Sequence, residues 1–216
     1  MKRLMPIFIV ILLSGCGILT AYAPNMLSMI VVAVMGVVVL LGIIYGLIPV
    51  LTFTQGLLTG QKSIQRASEA EEKSVWITAL QMDRFFRQKK MDQLFREYRD
   101  KVKQQRQNGQ IVSDLEDILN EDVLALYSWQ GVVAQIPGTL TGLGILGTFI
   151  GLLRGLRNIN FVTVEAALSS VQSILTGIDT AFYTSIAGVI LSILFNISNN
   201  ILRNTMDREM GIFLEV

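Results

Sequence analysis

Thr141-Gly142-Leu143-Gly144-Ile145-Leu146-Gly147-Thr148-Phe149-Ile150-Gly151-Leu152-Leu153-Arg154-Gly155 sets glycines four residues apart at Gly147, Gly151 and Gly155. On a helix, residues four apart share one face, so these glycines make a bare stripe that a neighbouring backbone can approach closely. Thr148 stands beside the stripe, and Gly144 extends it. The stretch ends a tract, residues 123–153, that holds no Asp, Glu, Lys or Arg. At about 1.5 Å per residue, roughly 20 apolar residues cross a hydrocarbon core, so this tract predicts a membrane helix.

The following apolar tract, from about residue 166 to 201, has a matching face. Thr176, Thr180, Thr184 and Gly188 form one row of small residues, and Ser173, Gly177, Ala181 and Ser185 form the next. Two helices with such faces pack tightly and leave a narrow polar strip. The same residues serve a purely structural role equally well, since small residues are common at membrane helix contacts and a hydroxyl can bond the carbonyl one turn back. A hydroxyl relays or positions a proton but does not hold one at neutral pH, so a conducting strip needs a titratable group as well. Asp179 is the acid nearest these helices and the candidate entrance acid; the mid-membrane carboxylate is expected from another chain.

Toward the N-terminus, residues 4–61 are also free of charge. The interruption Ala23-Pro24-Asn25 divides them into two helices joined by a tight turn. Leu13-Ser14-Gly15-Cys16 also looks like the lipobox ahead of an acylated cysteine, but the apolar run continues beyond Cys16 where a lipoprotein would have a polar tether. Most charges of the 216-residue chain fall between residues 62 and 122, where apolar residues such as Phe85, Phe86, Met91, Leu94, Phe95 and Tyr98 recur at helical spacing. That block predicts a solvated helical hairpin, its second helix opening near residue 112 with Ser113 and Glu116 as a capping box.

The expected architecture is all-α and integral to the membrane, with about four transmembrane helices and a cytoplasmic helical insertion. Residues 1–60 hold two spans, 61–122 the cytoplasmic region, 123–202 the small-residue helix pair and 203–216 the start of a cytoplasmic tail helix that the natural protein continues. Basic residues Lys2, Arg3, Arg203 and Arg208 join the charged block on one side, with Arg154 and Arg157 on the other, which puts both termini in the cytoplasm. With no histidine and one cysteine, usual Zn²⁺ sites and Cys/His nucleophile pairs are ruled out, and the chain is not read as an enzyme; no metal or cofactor is expected. Asn158, Asn160 and Glu165 are too sparse for a divalent cation site.

Gly144-Ile-Leu-Gly147-Thr148-Phe-Ile-Gly151-Leu-Leu resembles the Gly-Leu-Phe-Gly-Thr-Val-Trp-Gly-Ile-Met motif of the TolQ and ExbB proton channels. Ala181-Phe-Tyr-Thr184-Ser185-Ile-Ala-Gly188 is similar to their Ala-Leu-Ile-Ala-Thr-Ala-Ile-Gly. The resemblance to the MotA/TolQ/ExbB family implies that Thr148 and Ser185, with Thr184 alongside, line a proton path. Ungapped matching sets Thr180 where TolQ and ExbB carry a Glu, with Asp179 one position before it. It also implies a ring of five copies in the bacterial inner membrane around two copies of a MotB-like partner whose Asp carries the proton, with no direct nucleic-acid partner. Four spans look like MotA, and the Ser185 variant and the running-on last helix look most like the ZorA branch from Zorya anti-phage defence, where the partner is ZorB. An ExbB/TolQ-like energiser of the outer membrane and a non-transporting scaffold are the alternatives.

Overall fold

The computed structural model describes residues 5–69, 85–86, 88–108, 120, 123, 125, 128–157, 159 and 162–215. These residues are helical or in short connections, with no strand among them. The helices are α1 (Met5–Ala21), α2 (Met26–Gly42), α3 (Ile48–Glu69), α4 (Lys89–Gln107), the single turn α5 (Gln130–Val133), α6 (Ile136–Leu156) and α7 (Val164–Glu215). Three helical stretches, Met26–Lys62, Gln130–Leu156 and Val164–Leu214, are long and apolar enough to cross a bilayer. The first helix, Pro6–Ala21 in its apolar part, is shorter. The second helix of the charged hairpin and its capping box at Ser113 and Glu116 lie outside the described residues, as does the first half of the amphipathic stretch.

The chain divides into two compact units. The first holds residues 1–45 and 132–200. Its α1–α2 turn is built by Asn25, the N-cap of α2. The Asn25 Oδ1 accepts from the Ser28 amide at 2.9 Å and from the Ser28 hydroxyl at 2.7 Å, which satisfies an amide that a helix start leaves free. Cys16 lies well inside α1, which runs unbroken through the lipobox-like stretch. A side chain at Gly36 would sit 3.6 Å from the Cys16 Sγ, so α1 and α2 meet there at ordinary contact distance.

The second unit holds residues 46–131 and 201–216. Its core is aromatic: Phe86, 1% exposed, meets Phe85 edge-on at 4.9 Å, Phe95 at 5.7 Å and Phe213 at 5.4 Å. Gly60 on α3 makes room for this cluster, since a Cβ there would lie 2.9 Å from the Phe86 ring and 3.0 Å from Phe213. The buried carboxylate of Asp92 accepts the Phe86 amide at 2.8 Å and fixes the turn that leads into α4. The amphipathic stretch is helical over α4, but Phe85 and Phe86, expected on a helix, lie in a bend ahead of it, where Phe86 packs on Gly60 of α3 and Phe213 of α7.

Two interruptions have local causes. Pro49 cannot supply the N–H that an α-helix needs there, and the chain between α2 and α3 widens into a π-turn over Ile43–Leu47. The third apolar tract, expected to turn helical near residue 124, starts its long helix only at Ile136. Trp129 takes a left-handed φ of 52°, and Pro137 at the head of α6 suits a helix's first turn. The last helix needs no such break: α7 runs 52 residues, about 78 Å, with no proline.

Candidate functional site

The glycine stripe is the buried face of α6. Ile136, Leu140, Gly144, Gly147, Gly151 and Gly155 are its buried residues, and α7 lies antiparallel against them. A Cβ at Gly155 would come within 3.1 Å of the Gly177 Cα, one at Gly151 within 2.9 Å of the Gly177 carbonyl, and one at Gly188 within 2.7 Å of the Leu140 carbonyl. These are backbone-to-backbone approaches, and a side chain at Gly151 or Gly188 would force the helices to shift. All six glycines singled out by spacing, Gly144, Gly147, Gly151, Gly155, Gly177 and Gly188, lie in this one seam.

The predicted hydroxyls separate into two groups. Thr184 is fully buried in the seam, where it fills the space that a side chain on Gly147 would need, 2.6 Å from its Oγ1. Its hydroxyl donates back to the carbonyls of Thr180 and Ala181 at 2.9 and 3.2 Å. Thr180 is 4% exposed, donates to the Thr176 carbonyl at 2.8 Å and accepts from the Asn25 Nδ2 at 2.6 Å. Thr180 therefore joins α7 to the α1–α2 turn.

Thr148 and Ser185 sit on the flank of the seam, both half-buried. The Thr148 hydroxyl donates to the Gly144 carbonyl at 3.0 Å and reaches across to the Ala181 carbonyl at 3.4 Å. A Cβ at Gly144 would lie 3.4 Å from the Ser185 Cα, so Ser185 packs against Gly144 while Thr148, one helical turn along α6, reaches Ala181. Asp179 is exposed and two positions beyond Gly177, on the far side of α7 from α6. The helix pair thus offers a narrow hydroxyl-edged strip, and residues 180–202 of α7 contain no acid to hold a proton.

Two polar residues outside the motifs complete the arrangement. Tyr183 donates its phenolic hydroxyl to the Leu19 carbonyl, one of the carbonyls that the end of α1 leaves without a helical partner. Asn25, read from the sequence only as part of a turn, caps α2 with its carbonyl and grips Thr180 with its amide. The Pro-Asn pair signals the turn, but nothing in the sequence signals its partner 155 positions away. Among the described residues no cluster of His, Cys, Asp and Glu could hold a metal ion.

The class that this geometry defines is an all-helical protein with three helices fit to cross a bilayer, the last two fused through a glycine seam edged by Thr148 and Ser185. The family described as "Anti-phage protein ZorA, Zorya type I system" matches residues 12–204, most of the chain. The chain belongs to this ZorA-like family. Its similar proteins include Zorya protein ZorA from Escherichia coli strain ATCC 8739 (Crooks), 47% identical over 60 residues that make up 28% of this chain and 10% of the relative. Zorya protein ZorA from Escherichia coli O139:H28 strain E24377A is 43% identical over 60 residues, 28% of this chain and 8% of the relative. The matched segment is thus a tenth or less of the length of either relative.

Proposed function

We propose that this chain is the ring-forming subunit of a proton-driven rotary motor in the bacterial inner membrane, serving anti-phage defence. The observation that carries the reading is the flank of the α6–α7 seam, which Thr148 and Ser185 both edge while residues 180–202 of α7 hold no carboxylate. Such a strip passes a proton only when another chain brings the acid. The resemblance to MotA, TolQ and ExbB supplies the form of that chain: two copies of a MotB-like helix, ZorB in a Zorya system, inside a ring of five copies of this one. The partner's Asp takes a proton from the periplasm, passes Thr148 and Ser185 and releases it to the cytoplasm. Each transfer advances the ring about the partner. A unit charge moving through 100 mV gains about 2.3 kcal/mol, so several transfers per turn bias the rotation strongly.

In this arrangement α1 is the first of four spans and both termini are cytoplasmic, so α7 carries the motion out of the bilayer toward the defence effectors. The family membership and the ZorA relatives support the defensive role. The test is proton flux into proteoliposomes that hold this chain and the MotB-like product of the neighbouring gene, read by an internal pH dye. Flux that requires both chains and disappears in the Thr148→Ala/Ser185→Ala double variant, at unchanged assembly, supports the motor. Intact complexes whose flux ignores both hydroxyls, or that never conduct, leave a scaffold in which the glycines and threonines only pack helices.

A further inference from the structure

We infer that Arg157 at the end of α6 and Asp179 on α7 form an ion pair between neighbouring copies of this chain, at the outer edge of the bilayer. The inference rests on the ring proposed above and identifies the surface that closes it. Arg157 lies two positions past Gly155, and Asp179 lies two positions past Gly177, the two glycines that touch across the seam. Two positions on a helix are about 200°, so each charge faces away from the partner helix of its own chain. Because the helices are antiparallel, Arg157 stands about 3 Å to one side of the Gly155–Gly177 contact along the helix axis and Asp179 about 3 Å to the other. The offset of about 6 Å is within the reach of an arginine side chain, but inside one chain two helix diameters lie between them.

Both residues are exposed, and neither has an ion-pair or hydrogen-bond partner among the described residues. Asp179 is the single charged residue between positions 166 and 202, and Arg154 and Arg157 end the charge-free tract on α6. Thr180, bonded to Asn25, puts Asp179 level with the α1–α2 turn. Charges at that height adjoin the low-dielectric core, where an unpaired charge is costly and an opposite charge is worth more than in water.

The charges sit within apolar flanks of the same orientation. On α6, Phe149 and Leu153 are 67% and 70% exposed; on α7, Leu168, Leu175 and Phe182 are 72%, 59% and 66% exposed. Val164, Leu168, Val171 and Leu175 follow one another at intervals of four, three and four, the spacing of a helix-packing seam. One flank bears the base and the other the acid, so the contact they fit is head-to-tail, the kind that generates a closed ring when its rotation closes. A second copy of this chain is the occupant that carries both complementary features.

The experiment pairs two differently tagged full-length chains in native membranes, one Asp179→Cys and one Arg157→Cys, both with Cys16→Ser, treated with a short bis-maleimide. The expected result is a mixed-tag dimer formed several-fold more than in membranes where both tagged chains carry Asp179→Cys. Charge reversal adds a reading independent of thiol access: Asp179→Arg lowers the yield of oligomer, and Arg157→Asp in the same chain restores it. Equal cross-linking in the same-position control, or no rescue by the double reversal, overturns the head-to-tail pair. Native mass measurement of the unmodified complex separates the two failures: an intact ring without this cross-link removes the ion pair alone, whereas a chain that never forms a ring removes the motor reading with it.

Discussion

Replacing Gly188 with alanine adds one methyl group where the α6–α7 seam brings backbone against backbone. The new Cβ would lie 2.7 Å from the Leu140 carbonyl and 2.9 Å from the Gly144 Cα, both backbone atoms that cannot rotate away. Ordinary carbon contacts begin near 3.4 Å, so the helices must separate by roughly half an ångström or more, and the dispersion contacts along the seam weaken with them. Overpacking of this kind costs about 1–3 kcal/mol. Alanine also gains about 0.5–1 kcal/mol over glycine in a helix interior, a gain that partly offsets the clash at Gly188. Gly211, on the same helix α7, has nothing within 4 Å of the place its methyl would take and should show that gain alone. The net difference between Gly188→Ala and Gly211→Ala is therefore the overpacking cost itself, about 1–3 kcal/mol. The assay is thermal unfolding of the purified chain in mild detergent, with both variants measured beside the wild type. Equal stabilisation by the two substitutions would refute the claim that backbone contact holds the seam.

Three further outcomes follow from other parts of the molecule. Asn25→Ala removes both the cap of α2 and the bond to Thr180 and should cost about 1–2 kcal/mol in the same unfolding assay; Asn25→Ser keeps a capping oxygen and should recover part of the loss. Asp92→Ala leaves the buried Phe86 amide without its acceptor, a cost of about 1–3 kcal/mol, and should be read as faster limited proteolysis around α4. Gln130 is 4% exposed, and neither its Nε2 nor its Oε1 has a hydrogen-bond partner among the described residues, so Gln130→Leu should be neutral or raise the unfolding temperature.

The helices are legible in the sequence because their cause is local. Charge-free length marks the long helices, Ala23-Pro24-Asn25 marks the turn between α1 and α2, and the four-residue glycine spacing marks the buried face of α6. The delayed start of α6 is less legible, since hydropathy does not register the left-handed turn at Trp129. Within the site, spacing alone does not separate the hydroxyls. Thr180, Thr184 and Ser185 stand on adjoining rows of one helix, and only the position of α6 and of Asn25 decides which are enclosed. Asn25 and Tyr183 escape a reading of the sequence for a related reason: each makes its decisive bond to a helix far away along the chain, to Thr180 and to the Leu19 carbonyl.

The seam between α6 and α7 also sets which internal coordinates the protein can use. Turning α6 about its axis by one residue, about 100°, would replace Gly147 or Gly151 with Thr148 or Leu152 where the Thr184 side chain and the backbone of Gly177 and Ala181 leave no room for them. The pair therefore has no soft rotation of one helix on the other along the stretch where the glycines meet α7. Any change of shape in this part of the molecule must be taken up elsewhere, at the outward flanks of the pair or at the polar bonds that tie α7 to α1 and to the Asn25 turn.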